Sequence, residues 1–223
     1  MDFGVQLNSN STLDFSGQVM DDAQIQSMVT NYAAGYMSCG GQGKSLMLAI
    51  GTNNAGGGGS GYGSAWAYEV QGVGGAIDNS GWGGTITVWG GMDFEPQWNT
   101  QANGESWAQG FGSVNSNLLY VNYGAATGCP PAGTCSNGWT QQGIQYVSYG
   151  APPALAVPEI YYQINAQQWA DISDVGYIGF TGTLDEYPRD NQTNTSTEAV
   201  QELDAATGQS VGYATELQSG YMG

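Results

Sequence analysis

The sequence predicts an α/β fold: a small, irregular TIM-like (β/α) barrel with glycine-rich loops, formed by residues 1–223 as a single domain. Three observations lead there. Near-continuous apolar runs such as SLMLAI and TITVW alternate with segments of helical spacing, the pattern of a parallel sheet covered by helices. The alternation persists over 223 residues, enough for one barrel with a full core. No GxGxxG or phosphate loop follows the first strand, which argues against an open dinucleotide-binding sheet. A β-sandwich is the competing architecture, given 37 Gly and 14 Tyr.

Taken in order, DFGVQL (2–7) opens as a strand. Residues 21–37 place Ile25, Met28, Val29 and Tyr32 at helical spacing behind an acidic first turn. SLMLAIGTN (45–53) reads as a buried strand, and NNAGGGGSGYGS (53–64) as a flexible loop. AWAYEVQGVGGAI (65–77) is a helix weakened by glycine. TITVWGGMDFE (85–95) is a strand, and GESWAQGFGSV (104–114) a short helix. LLYVNYG (118–124), IQYVSYG (144–150) and ALAVPEIYY (154–162) read as three further strands, with a loop replacing one crossover over 124–145. NAQQWADIS (165–173) is a helix, GYIGFTG (176–182) a strand. STEAVQELDAATG (196–208) closes as a helix with Ser196 as cap and Gly208 as stop.

Charge excludes whole classes of function. Nineteen acids face Lys44 and Arg189, for a net charge of −17, and there is no His. Nothing is present to neutralise phosphates, so nucleic acid and anionic membrane surfaces are excluded as partners. Without His, triads built on it and most zinc sites fall away. No resident metal or other cofactor is expected, and any catalysis must use carboxylates, tyrosines or a hard metal. Charged residues are only 9%, against roughly 25% in an average protein. Such a surface suits an acidic or extracellular setting, or one that packs against copies of itself.

CPPAGTC reads as a small loop closed by a Cys129–Cys135 disulfide, which requires an oxidising compartment; three free thiols are the alternative. Cys39 reads as a small core residue. No apolar run reaches the ~18 residues of a membrane span. No signal peptide is visible at MDFGVQLNSN, so an extracellular location implies a leader removed from this chain. Asn10, Asn191 and Asn194 begin N-x-S/T sequons. LDEYPRDN (184–191) gathers Asp185, Glu186 and Asp190, either a solvated acidic loop or a Ca²⁺ site outside the EF-hand pattern.

The chemistry concentrates where strands end. In a strand, residues i and i+2 share a face about 6.6 Å apart, so Asp93 and Glu95 project together with Trp89 on the same side. Pro96 cannot continue the ladder and marks a strand end, where a (β/α) barrel carries its site. Adjacent carboxylates raise each other's proton affinity, so that one stays an acid while the other is charged. VPEIYY ends a second strand and offers Glu159 with Tyr161. Glycosidases place two carboxylates across a sugar bond, about 5–5.5 Å apart when retaining and about 6.5–9.5 Å when inverting. Asp93, Glu95 and Glu159 are thus the candidate catalytic acids. Trp89, Trp98, Asn122, Tyr123, Tyr149 and Tyr161 are candidate sugar-binding groups, with Ser148, Thr181 and Trp139 nearby.

DFEPQW, LLYVNYGAATGCPP and GIQYVSYGAPPALAVPEIYYQINAQQWADIS together resemble segments of a group of secreted bacterial, actinobacterial-type proteins described as glycoside-hydrolase-like (β/α) barrels. The resemblance covers residues ~85 to 185. It implies the barrel fold and acids at Asp93, Glu95 and Glu159. Against the chitinase-type signature G-x-D-x-D-x-E, Gly91 and Asp93 match, Glu95 stands where Asp is usual, and Gln97 replaces the terminal Glu. The D-x-E of muramidase barrels is similar to Asp93 and Glu95, with Glu95 as acid. The expected function is a secreted glycoside hydrolase acting on a polysaccharide or cell-wall glycan. A non-catalytic carbohydrate-binding barrel and a self-associating surface-layer or filament protein are the alternatives.

Overall fold

The computed structural model describes residues 1–186 and 193–217, with the backbone alone described for Glu186 and 214–217. Nine strands and six α-helices are found among them. They are β1 (Asp2–Asn8), β2 (Ser11–Leu13), β3 (Val19–Asp21), α1 (Asp22–Tyr36), β4 (Leu46–Asn53), α2 (Ser60–Asn79), β5 (Ile86–Asp93), α3 (Gln101–Val114), β6 (Tyr120–Asn122), α4 (Gln141–Gln145), β7 (Ala154–Ala156), α5 (Gln163–Val175), β8 (Thr183–Glu186), α6 (Ser196–Thr207) and β9 (Ala214–Leu217).

Seven strands form one sheet in the order β3-β2-β1-β4-β5-β6-β7. β1, β4, β5, β6 and β7 are parallel, while β2 and β3 add an antiparallel edge. β8 and β9 pair in parallel as a separate ribbon. Single parallel bridges, Ala156 with Phe180 and Glu159 with Leu184, link it to the end of β7. The mixed α/β class and the parallel core are as expected from the sequence. The sheet is open: among the described strands none joins β9 to β1, so the closure a barrel requires is not seen.

Alternation along the parallel strands sorts their two faces. Leu48, Ile50, Val88, Met92 and Tyr120 point to the helices and are buried there. Trp66, Val70, Val73 and Ile77 of α2 and Trp107 and Phe111 of α3 complete this core. Phe94 and Tyr120 meet Trp107 edge-on at 5.7 and 5.5 Å. Helices α2 and α3 approach closely because Gly63 and Gly110 carry no Cβ: one at Gly63 would overlap the Trp107 carbonyl, one at Gly110 the Ser60 backbone. α2 starts at Ser60, inside the stretch expected to be a loop.

Several elements correct the reading of the sequence. IQYVSYG is not a strand; α4 runs into a wide helical turn over Tyr146–Gly150. Its buried residues Ile144, Val147 and Ser148 stand at helical, not alternating, spacing, and the Thr140 hydroxyl caps Gly143 N–H at 3.0 Å. GYIGFTG contributes only the Phe180 bridge. β7 is three residues long because Pro153 precedes it and Pro158 follows, neither able to donate to a ladder. The β2–β3 hairpin and the β8–β9 ribbon are additional strands; β8 contains Asp185, read from sequence as acidic loop. Thr195, not Ser196, caps α6, while Gly208 ends it in the left-handed region at φ 69°. Cys39 is exposed, not core, in the turn Met37–Gly41 that follows α1, where Gly40 takes the left-handed region (φ 93°).

Candidate functional site

The face of the sheet away from the large helical core is layered along β4 and β5. The parallel register pairs Ala49 with Trp89, Gly51 with Gly91 and Asn53 with Asp93, successive layers about 6.6 Å apart. Across β6, Gly91 pairs with Val121, and Tyr123 follows on the same face. The Tyr123 ring lies over Gly51 and Gly91, filling the space their missing side chains leave. β1 is offset so that its first residue, Asp2, pairs with Gly51 in this middle layer. Three levels result: Ala49 and Trp89 toward the amino ends of the strands, Asp2 and Tyr123 in the middle, and Asp93 at the carboxyl end.

Above Asp93 the alternation continues. Phe94 turns into the helix-side core against Trp107, Tyr120 and Trp139, and Glu95 returns to the acid side. The Asn54 side chain fixes this corner, accepting from Glu95 N–H (3.1 Å) and donating to the Glu95 carbonyl (3.0 Å). Glu159 arrives from the end of β7. Its N–H donates to the Gly124 carbonyl (3.3 Å), and the bridge to Leu184 holds its backbone.

Glu159 and Glu95 both lie near enough to Asp93 for their charges to act on it. Asp93 and Glu159 are buried, 5% and 6% exposed, whereas Glu95 is half-buried. Burial pushes the Asp93 carboxyl well above the ordinary carboxylate range, and the charges of Glu159, Glu95 and Asp2 push it further. Asp93 Oδ1 has no hydrogen-bond partner among the described residues, as suits a carboxyl held protonated. Burial alone pushes Glu95 up to about 7.

Asp2 is the member sequence reading missed. Burial pushes it up to about 6, although Gly4 N–H donates to its Oδ1 at 2.7 Å. It also hydrogen-bonds Tyr123. The Tyr123 hydroxyl has one hydrogen and two acceptors, the Thr52 carbonyl at 3.0 Å and Asp2. The bond to Tyr123 favours the charged carboxylate of Asp2, as a donating hydroxyl does, and the single hydrogen is shared between Asp2 and the Thr52 carbonyl. Burial, then the charges of Asp2, Asp93 and Glu159, hold the Tyr123 hydroxyl firmly protonated.

A cavity of about 620 Å³ opens on the amino-end side of this layer. Asp2, Tyr123 and Trp89 line it, with Met47 and Val121 from neighbouring strands, Val157 and Leu184 from the far side, and Tyr32 and Tyr213 at its rim. Asp93, Glu95 and Glu159 are not among its walls.

The predicted binding residues divide accordingly. Tyr123 stands between the acids and the cavity. Trp89 shares their face, as expected, but lies two layers below Asp93 behind Tyr123. Trp98 is 40% exposed in the turn after Glu95, its N–H on the Glu95 carbonyl (3.2 Å). Tyr161 is half-buried two residues beyond Glu159. Asn122 is a correction. It sits on the helix-side face, fully buried, its Oδ1 accepting from Phe94 and Gly124 N–H and its Nδ2 donating to Ser148. It ties β6 to β5, with its oxygen accepting twice and its nitrogen donating to Ser148 inside the core. Ser148 is buried in the same network, donating to the Ile144 carbonyl. Tyr149 is also a correction: it lies on the outer helical turn, edge-on to Tyr177 at 5.7 Å. Trp139 is core, with its indole N–H on the Asn99 carbonyl at 2.7 Å. Thr181 is half-buried, its N–H on the Ala156 carbonyl.

The Cys129–Cys135 disulfide is formed. Both sulfurs are buried, and Gln141 Nε2 donates to the carbonyls of Pro130 and Pro131 to hold the loop. Among the described residues no cluster of acids or thiols is arranged to hold a metal ion, and no helix is long and apolar enough to cross a membrane. Asp185 is buried in β8; Asp190, part of the candidate Ca²⁺ loop, lies outside the described residues. No protein-family model and no curated protein matches the chain. The chemistry of the site thus rests on its own residues.

Proposed function

We propose that this chain is a secreted glycoside-hydrolase-like protein that works on a polysaccharide or cell-wall glycan through the carboxyls of Asp93, Glu95 and Glu159. The observation that supports the reading is that Glu95, beyond β5, and Glu159, beyond β7, both act on the charge of buried Asp93. Glu95, half-exposed and holding its proton up to about 7, suits the general acid. Buried Asp93 keeps a proton beside it, and Glu159 is the second carboxylate across the sugar bond. Trp98 and Tyr161 flank the acids as sugar-facing rings. The disulfide is in keeping with an extracellular site of action. We read the strand layout as a (β/α) barrel: β1, β4, β5 and β6 all contribute to the wall of one cavity that Leu184 of β8 completes.

The test is Glu95→Gln, assayed for reducing-end release from chito-, muro- and gluco-oligosaccharides. Loss of a positioned general acid predicts a fall in turnover of about 10²–10⁴-fold with folding intact. Unchanged turnover on a substrate the parent cleaves removes the assignment. A non-catalytic carbohydrate-binding protein is the second reading, favoured by the near-complete burial of Asp93 and Glu159. Glycan binding by the parent with no product selects it.

A further inference from the structure

The cavity below the acids has a chemistry the hydrolase reading does not use. In a filled barrel, branched side chains of successive layers pack the interior. Here the middle layer of β4 and β5 is Gly51 and Gly91, covered by a single ring, Tyr123, and the layer toward the amino ends pairs small Ala49 with Trp89. The layer beneath stays open, about 620 Å³, within the range of small-molecule sites.

Its walls are of two kinds. Trp89, Tyr32, Tyr123 and Tyr213 present aromatic surface, and Met47 adds a flexible thioether. Among the described residues Asp2 is the carboxyl that lines it. Among the described residues no Lys or Arg lines it; the positive group at its wall is the Met1 amino group, which is directed at the Ala49 carbonyl (2.6 Å). Aromatic faces together with a carboxylate form the recognition chemistry of an organic cation. A chain of net charge −17 also concentrates cations and repels anions over its whole surface.

From this placement we propose that the cavity is a binding site for an organic ammonium ion, of the quaternary or aryl-alkyl amine class, seated against Trp89 and Tyr123 with its charge toward Asp2. The site is distinct from the acid cluster and stands whether or not that cluster hydrolyses glycans. Asp2 faces Tyr123, Asp93 and the Met1 amino group, so protonation of Asp2 opposes binding. Affinity therefore rises as pH increases through about 6, where Asp2 ionises, and binding releases a proton near that pH.

The probe is benzyltrimethylammonium, compared with neutral benzyl alcohol and anionic phenylacetate, by calorimetry and tryptophan fluorescence on the full chain. The expected result is saturable binding of the cation, at least tenfold tighter than benzyl alcohol and with phenylacetate undetected. Asp2→Asn and Trp89→Leu should each weaken it tenfold or more. Glu69→Gln, which removes a remote acid on α2, should leave it unchanged and so excludes a bulk-charge effect. If Asp2→Asn does not fold, the parent at pH 4.5 and 7.5 gives the same comparison, with the cation favoured at the higher pH. The proposal is overturned if benzyl alcohol binds as tightly as the cation, if the cation does not bind at millimolar concentration, or if Glu69→Gln weakens it as much as Asp2→Asn.

Discussion

Tyr123 is the residue on which the geometry of the site turns. Its ring separates the acids from the cavity, and it fits because Gly51 and Gly91 lie beneath it. A Cβ at Gly51 would overlap the Tyr123 hydroxyl and ring, breaking the bonds to Thr52 and Asp2. Gly51→Ala should therefore destabilise the fold by about 1–3 kcal/mol, the usual cost of overpacking. Chemical denaturation measures it; a change under 0.5 kcal/mol would mean the ring moves freely. The sequence made Asp93, Glu95 and Glu159 legible, because acids beside Pro96 and Pro158 mark strand ends in a chain poor in charge. It did not reveal Asp2, because that residue's place depends on the offset of β1 against β4, and register between parallel strands is set by long-range packing. Nor did it show that Asn122 is bonded inside the core. An amide at a strand end has the same local pattern whether it faces a ligand or a neighbouring loop.

Among the elements, long periodic helices were readable and short apolar runs were not. α1, α3, α5 and α6 announce themselves through buried positions three and four apart. The stretch 144–150 and the stretch 154–162 share a Tyr- and Val-rich composition, yet one is helical and the other a three-residue strand. Composition alone does not separate a buried helical turn from a buried strand. The segment between β6 and β7 is held by its disulfide in place of a long crossover helix. Cys129 and Cys135 are six residues apart, so the loop they close is small. Replacing both with Ser should cost about 2 kcal/mol of stability, the entropy of so short a loop. Since Gln168 Nε2 donates to the Cys129 carbonyl, the loss should extend to the docking of α5, seen as faster amide exchange there. Exchange confined to 129–135 would contradict that coupling.

For the molecule as a whole, buried acids without matching cations set the response to pH. Burial raises Asp2 to about 6 and Glu69 and Glu95 to about 7, and raises Asp93 well above its ordinary value. Exposed Asp14 and Glu198 are lowered by their hydrogen bonds, a small opposing effect at solvent-screened positions. Between about pH 4 and 7 the folded chain keeps protons that the unfolded chain releases, so each raised acid favours folding at low pH. That contribution is complete below about 4 and is lost as pH rises through 7; repulsion among 19 acids adds in the same direction. Melting temperature should be higher at pH 4 than at pH 8, and an optimum above neutrality would contradict the account. This preference was foreshadowed by the composition, whereas which acids carry it needed the fold. The central claim, that Asp93, Glu95 and Glu159 act as one proton-holding cluster, is tested most directly by following their side-chain carboxyl carbons by NMR from pH 3 to 9. The account predicts that Glu95 titrates near 7, that Asp93 stays protonated beyond its ordinary range, and that Glu159→Gln moves the Asp93 midpoint down. Three independent titrations near pH 4, unmoved by that substitution, would contradict it.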